Sequence, residues 1–211
     1  SSDLKRIVLL SLLSALTGLA VQASSLVQGR IYLKDGRVIE CAEKDRIEIP
    51  RYSRDVKLLR RAFYKDKSKE TYPFEAVDSI VCWHVAAPDH LRTFIPAEQI
   101  GWMWVYMETP YIGAYVYSEK GFGIDNNGGI EVLYKQRSLS RSRTAYYLRK
   151  TGDTEFHDVG SASRNAKEGF RERIVEYISD DPALAELIRQ TRTSNRSKII
   201  LMLEDYIPQN D

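Results

Sequence analysis

Between Gly101 and Tyr134 the chain reads GWMWVYMETPYIGAYVYSEKGFGIDNNGGIEVLY, and its apolar residues recur at a period of two. Side chains two apart share one face of a strand, so this spacing dictates β-structure and rules out a helix here. Trp102, Trp104 and Tyr106 alternate with Met103, Val105 and Met107. A strand apolar on both faces needs cover on both, which makes Trp102–Met107 the expected structural centre under whatever packs above it. Past the Thr109-Pro110 corner, Ile112, Ala114 and Val116 take one face and Tyr111, Tyr115 and Tyr117 the other. Asn126-Asn127-Gly128-Gly129 then mark a turn before Ile130, Val132 and Tyr134 return. The stretch reads as three consecutive strands.

The preceding residues carry the same period. In QGRIYLKDGRVIEC, apolar positions alternate around Asp35-Gly36, a pair that tolerates the positive φ of a tight hairpin. Ile31 and Leu33 share a face, with Val38 or Ile39 answering across the turn, and Arg46 to Pro50 is a third strand. Arg51 to Lys69 holds eight basic residues against Asp55 and Asp66, with KDKSKET read as a solvated loop. It suits either a charged sheet edge or contact with a polyanion. Tyr72 to Trp83 leads into an internal strand, and His84 to Pro96, with two prolines, reads as a long loop. The hairpin, third strand, charged excursion and returning strand of residues 28–83 resemble the small five-stranded barrels that open with a strand, Lys-Asp-Gly and a second strand.

Beyond the polar connector Gln136–Arg143 comes a last hairpin, AYYLRK and FHDV around TGDTE. From Ser161 the period changes to 3.6. A helix over Arg164–Ile178 aligns Phe170, Ile174, Val175 and Ile178, with Ser161 or Ser163 as cap. A second starts at Asp181-Pro182 and carries Leu184, Leu187 and Ile188; a third starts near Ser194 or Asn195 and carries Ile199, Ile200, Met202, Leu203 and Tyr206. Strands first and helices last give an α+β fold. Residues 24–160 form an antiparallel β-rich region, divided into a small barrel over 24–83 and an aromatic sheet over 84–160. Residues 161–211 form three helices packed on the sheet.

The start of the sequence constrains compartment. Leu4-Lys5-Arg6, the run Ile7–Val21 and Gln22-Ala23 have the form of a secretory signal peptide over residues 1–23, leaving no stable membrane span after cleavage. Loss of Asp3, Lys5 and Arg6 lowers the net charge from +2 to +1, too balanced for a nucleic-acid partner. Export would place Cys41 and Cys82 where a disulfide persists, although two buried thiols fit equally.

VQGRIYLKDGRVIE, VDSIVCW, GWMWVYMETPYIGAYVY, AYYLRK and EYISDDPALAELI together resemble uncharacterised secreted proteins of the Bacteroides group of Gram-negative bacteria. The resemblance implies export and a role at the cell envelope, periplasmic, outer-membrane-associated or extracellular. It supplies no active-site residues.

No GxSxG, HExxH, phosphate loop or dinucleotide fingerprint occurs, so no catalytic, metal or cofactor residues are assigned. His84, His90 and His157 would need to converge to hold zinc, and Cys82 with His84 lacks a third group for nucleophilic chemistry. Glu98, Glu108, Glu119 and Asp125 offer carboxylates for a glycan hydrolase, the alternative to binding alone. The better-supported site is Tyr111, Tyr115 and Tyr117, whose rings suit a carbohydrate or protein partner. The leading expectation is an envelope-associated binding or assembly module.

Overall fold

A computed structural model describes residues 24–133, 143–162 and 169–209. The signal segment, Tyr134, the connector from Gln136 to Ser142, the helix start at Arg164 and the Ser163 cap lie outside those residues.

Eleven antiparallel strands form one sheet in the order β13-β12-β9-β8-β7-β6-β1-β3-β4-β5, with β2 paired beside β1. These are β1 (Leu26–Leu33), β2 (Val38–Glu40), β3 (Arg46–Glu48), β4 (Val56–Arg60), β5 (Ser68–Tyr72), β6 (Val77–Trp83), β7 (Arg92–Ala97), β8 (Gly101–Glu108), β9 (Ile112–Ser118), β12 (Thr144–Lys150) and β13 (His157–Ser161). The short pair β10 (Phe122–Ile124) and β11 (Ile130–Val132) is a separate two-stranded sheet. Three helices follow: α1 (Phe170–Tyr177), α2 (Pro182–Gln190) and α3 (Arg196–Leu201), the last running into a 3₁₀ turn. The protein is α+β.

The turn chemistry explains the first hairpin. Gly36 sits at φ +88, and the Asp35 carboxylate accepts the Arg37 N–H at 3.0 Å. That register sets Ile31 opposite Ile39, leaving Val38 exposed beside Tyr32. The strand path is open from β13 to β5, so residues 24–83 and 84–160 share one ladder through the β6–β7 pairing.

Three local readings change. Ser68–Tyr72, which takes the last four residues of the expected KDKSKET loop and Tyr72 beyond it, is edge strand β5, because its backbone pairs with β4 while its side chains stay largely in water. The His84–Pro96 loop closes at Leu91: Arg92–Ala97 is β7, and Pro96 is accommodated where β7 has run past its pairing with β6. Residues 101–133, the described part of the stretch expected to hold three strands, form four, since the tail after Lys120 folds as the β10–β11 hairpin.

The sheet separates two apolar layers. Ile112, Ala114 and Val116 of β9, with Tyr146 and Leu148 of β12, join the main core beneath the helices. Tyr115 and Tyr147 join Met103, Ala97 and Ala145 on the reverse face. An irregular register between Val105 and Met107 turns Met107 onto the face of Trp102, the displacement a β-bulge produces. Within the main core, Phe94, Phe122, Trp104, Tyr106, Tyr146 and Phe170 form a chain of ring contacts with centroids 5.2–6.4 Å apart. Trp102, buried against Phe74, anchors the other half by donating its indole N–H to the Arg54 carbonyl at 2.9 Å.

Helix α1 begins with Gly169 at φ +83 as its N-cap, while Ser161 is the last residue of β13. Phe170, Ile174, Val175 and Ile178 are all buried. Asp181 caps α2 by accepting the Leu184 N–H, and Asn195 caps α3 by accepting that of Lys198. On α2 the buried stripe is Leu184, Ala185 and Ile188; Leu187 is exposed, a one-position rotation from the expected stripe.

Candidate functional site

The β8–β9 and β12–β13 turns lie side by side, because β9 pairs with β12 in a register that sets Gly113 against Arg149 and Ile112 against Lys150. Two hydrogen bonds join them: Thr151 donates its N–H to the Tyr111 carbonyl at 2.8 Å and its hydroxyl to the Pro110 carbonyl at 2.7 Å. Between the turns is a cleft of about 380 Å³ whose walls include Glu108, Gly113, Tyr115, Arg149 and Asp153. A second cleft of about 340 Å³ lies beside it, lined by Thr154, Glu155, Phe156, His157 and Tyr177, with Asp153 common to both.

The three tyrosines divide. Tyr111 is 43% exposed, in the turn rather than on β9; Tyr115 is 2% exposed; Tyr117 is half-buried. Tyr115 is buried by its own fold-back, since a Cβ on Gly113 would collide with the phenol ring. Its hydroxyl donates to Glu108 Oε1 at 3.3 Å and accepts from Arg149 Nη2 at 3.4 Å. Burial pushes the phenol above its ordinary pKa, with the Arg149 charge opposing. Phe156 meets the Tyr115 ring edge-on at 5.1 Å, and the Arg149 guanidinium lies 4.5 Å from the Phe156 centroid and 5.4 Å from that of Tyr115. Cation and two rings thus brace one another at the cleft wall.

Tyr177 links this wall to α1. Its hydroxyl donates to Asp153 Oδ2 at 2.7 Å and accepts the Lys150 N–H at 2.9 Å, while its ring stacks on His157 at 4.6 Å with planes 2° apart. Burial raises its phenol pKa, aided by Asp153. Lys150 Nζ donates to Asp180 Oδ1 at 2.8 Å, and the Tyr206 hydroxyl donates to Asp180 Oδ2 at 2.7 Å. Burial works against the Asp180 charge, but these two donors outweigh it and hold the carboxyl below its ordinary range. The His157 Nε2 is buried without a hydrogen-bond partner among the described residues. The result is a fixed set of donors, acceptors and aromatic edges around the two clefts.

The other sequence candidates stay apart. His84 accepts the Ala86 N–H within its own loop, His90 contacts the Asn127 carbonyl, and His157 faces Tyr177. Among the described residues no group of three metal-ligating side chains forms. Cys82 is fully buried, and burial raises its thiol pKa, the reverse of what a nucleophile needs. Of the four carboxylates considered for hydrolysis, Glu108 lines the cleft, Asp125 accepts the Asn127 and Gly129 N–H groups within its turn, Glu119 accepts the Arg143 N–H, and Glu98 is exposed.

The basic segment is partly occupied with structure. Arg60 pairs with Asp45 at 2.7 Å and Glu70 at 2.7 Å, Lys57 with Glu48 at 3.2 Å, and Arg61 with Asp66 at 3.1 Å. Cys41 and Cys82 are both free. Cys41 donates its N–H to the Gly29 carbonyl and Gly29 stands opposite Cys82, so β1 lies between them. Two inter-strand spacings amount to about 10 Å, beyond the Cα separation of about 7 Å that a disulfide tolerates.

Arg149, Asp153, Phe156 and Tyr177 escaped sequence reasoning. TGDTE has the composition of an ordinary turn, and only the β9–β12 register brings it against Glu108 and Tyr115. Comparison with protein-family models, curated proteins and solved structures found no match to this chain.

Proposed function

We propose that this protein is a non-catalytic binding module of the cell envelope that takes a carbohydrate chain along the paired clefts of the β12–β13 turn. The observation that carries the reading is the braced wall of Tyr115, Arg149 and Phe156 flanked by Glu108 and Asp153. Aromatic surfaces receive the C–H faces of sugar rings, a part open to the half-buried Phe156 and not to the buried Tyr115 behind it, while adjacent charged groups satisfy the hydroxyls. Tyr111, at the rim, supplies a further exposed ring. The signal-like pattern of residues 1–23 supports export.

Glycan hydrolysis is the second reading, favoured by Glu108 and Asp153 lining one cleft. Against it, Asp153 already accepts the Tyr177 hydroxyl, and Glu108 that of Tyr115.

Calorimetric titration of the purified chain with neutral and uronic-acid oligosaccharides of four to six residues tests both readings. Binding that weakens at least tenfold in Arg149→Ala, without release of new reducing ends, supports the module. Reducing ends lost in Glu108→Gln support hydrolysis. The proposal is abandoned if no oligosaccharide binds below millimolar concentration.

A further inference from the structure

Arg196, at the start of α3, is a buried cation with no counter-charge among the described residues, and it lies over the first residue of α1. Arg196 is 2% exposed, its guanidinium carbon lies 4.7 Å from the Phe170 centroid, and its Nε and Nη1 have no hydrogen-bond partner among the described residues. Among those residues, too, no carboxylate forms an ion pair with Arg196 or with its neighbour Arg173. Burial lowers the Arg196 pKa, and the Arg173 charge lowers it further. Stacking on Phe170 compensates one face of the guanidinium; Nε and Nη1 at its edge remain unanswered among the described residues.

The surroundings are pre-set for a negative group. Arg173 donates Nε and Nη2 to the Val159 carbonyl, at 3.1 and 2.9 Å, which fixes its plane. Its Nη1 lies 3.1 Å from where a Gly169 Cβ would stand, and a Cβ on Gly160 would strike Nη2. Both positions are glycine, so the guanidinium has room. Gly169 offers α1 no side-chain cap, leaving the first backbone N–H groups of an eight-residue helix without a side-chain acceptor among the described residues. Those N–H groups carry the positive end of the helix dipole. Phe170 is the first helical residue, so Arg196, Arg173 and the helix terminus all converge there.

We propose that Arg173, Arg196 and the N-terminal end of α1 form a binding site for a tetrahedral oxyanion, phosphate or sulfate, free or carried as a monoester. A tetrahedral group presents acceptors in several directions at once, which suits the helix-terminal N–H groups together with Arg173 Nη1 beside Gly169 and Arg196 Nε and Nη1. The site is separate from the clefts, since α1 carries Tyr177 at its opposite end, about 10 Å away by helical rise.

The test is thermal melting of the purified chain at constant ionic strength, with inorganic phosphate, inorganic sulfate, glucose 6-phosphate or chloride alone. Phosphate should raise the wild-type melting temperature saturably and chloride should not; a response to the monoester as well identifies a carried group, and its absence a free ion. Arg196→Met should weaken the phosphate response at least tenfold in concentration while melting no lower than wild type in phosphate-free buffer, because it removes a buried unpaired charge. Arg189→Met, at an exposed ion pair on α2, should keep the response. An equal phosphate shift in Arg196→Met and wild type would overturn the site. So would the absence of any wild-type shift, or an Arg196→Met chain that melts well below wild type without phosphate.

Discussion

Replacing Asp45 with Asn should destabilise the protein by about 3 kcal/mol, although the two side chains are nearly the same size. Asp45 is 4% exposed and serves three donors: Arg60 Nη1 at 2.7 Å, the Ala42 N–H at 3.0 Å and the Arg61 N–H at 3.0 Å. The last of these holds Arg61 at φ +48, a left-handed conformation that costs a non-glycine residue about 1 kcal/mol. An amide at position 45 would turn two hydrogens toward groups that are themselves donors. Breaking a buried ion pair costs about 3–5 kcal/mol. The lower end applies here, because Arg60 is 31% exposed and keeps Glu70. For a chain of this size each kcal/mol moves the midpoint by about 2–4 °C, so a fall of about 6–12 °C is expected.

The pH dependence has a definite sign. Burial raises the Asp45 pKa, but Arg60 and the two backbone donors together bring it below its ordinary value of 3.8. Its contribution is therefore present above pH 3.8 and lost as pH falls through the depressed folded value. Asp45→Asn should flatten the wild-type loss of stability in that acidic window. The assay is urea denaturation followed by tryptophan fluorescence at pH 7 and pH 3. A variant within 0.5 kcal/mol of wild type at pH 7, taken as roughly the scatter of neutral surface substitutions, would refute the reasoning.

Three further outcomes follow from single sites. Gly29→Ala should lose about 2 kcal/mol in the same denaturation assay, because its Cβ would meet the Val81 carbonyl oxygen at 2.5 Å and the Cys82 Cβ at 2.8 Å. Cys82 should react with an aromatic disulfide reagent only at the rate of global unfolding and Cys41 sooner, as seen by absorbance with and without urea. Tyr177→Phe should cost about 1 kcal/mol of stability and weaken the proposed oligosaccharide binding, since it releases Asp153 and the Lys150 N–H together; unchanged calorimetric binding would separate Tyr177 from the site.

Much of the architecture was legible because it rests on period and turn chemistry. Asp35-Gly36 places the first hairpin, alternation sorts Ile112, Ala114 and Val116 from Tyr115 and Tyr117, and Asp181-Pro182 marks the start of α2. What escaped depends on register. Strand β5 is polar along its length and exists through its backbone pairing with β4, which side-chain pattern does not encode. The candidate site was half legible for the same reason: Tyr115 and Tyr117 share a face as expected, but Tyr115 folds over Gly113 and is buried, while its neighbours Arg149 and Phe156 come from a hairpin about 35 residues later. Leu187 was misplaced because a nine-residue helix tolerates a stripe centred on Ala185 as well as on Leu187.

The single ladder running from β13 to β5 makes the chain a natural subject for fragment complementation. Cut in the His84–Leu91 turn, it would yield one piece ending in β6 and another beginning with β7, each presenting the bare edge that the other pairs. Trp102 would re-form its bonds to the Tyr52 and Arg54 carbonyls across the same seam. Each half alone leaves that edge unpaired, so reassembly of the two peptides would report on the integrity of the whole sheet.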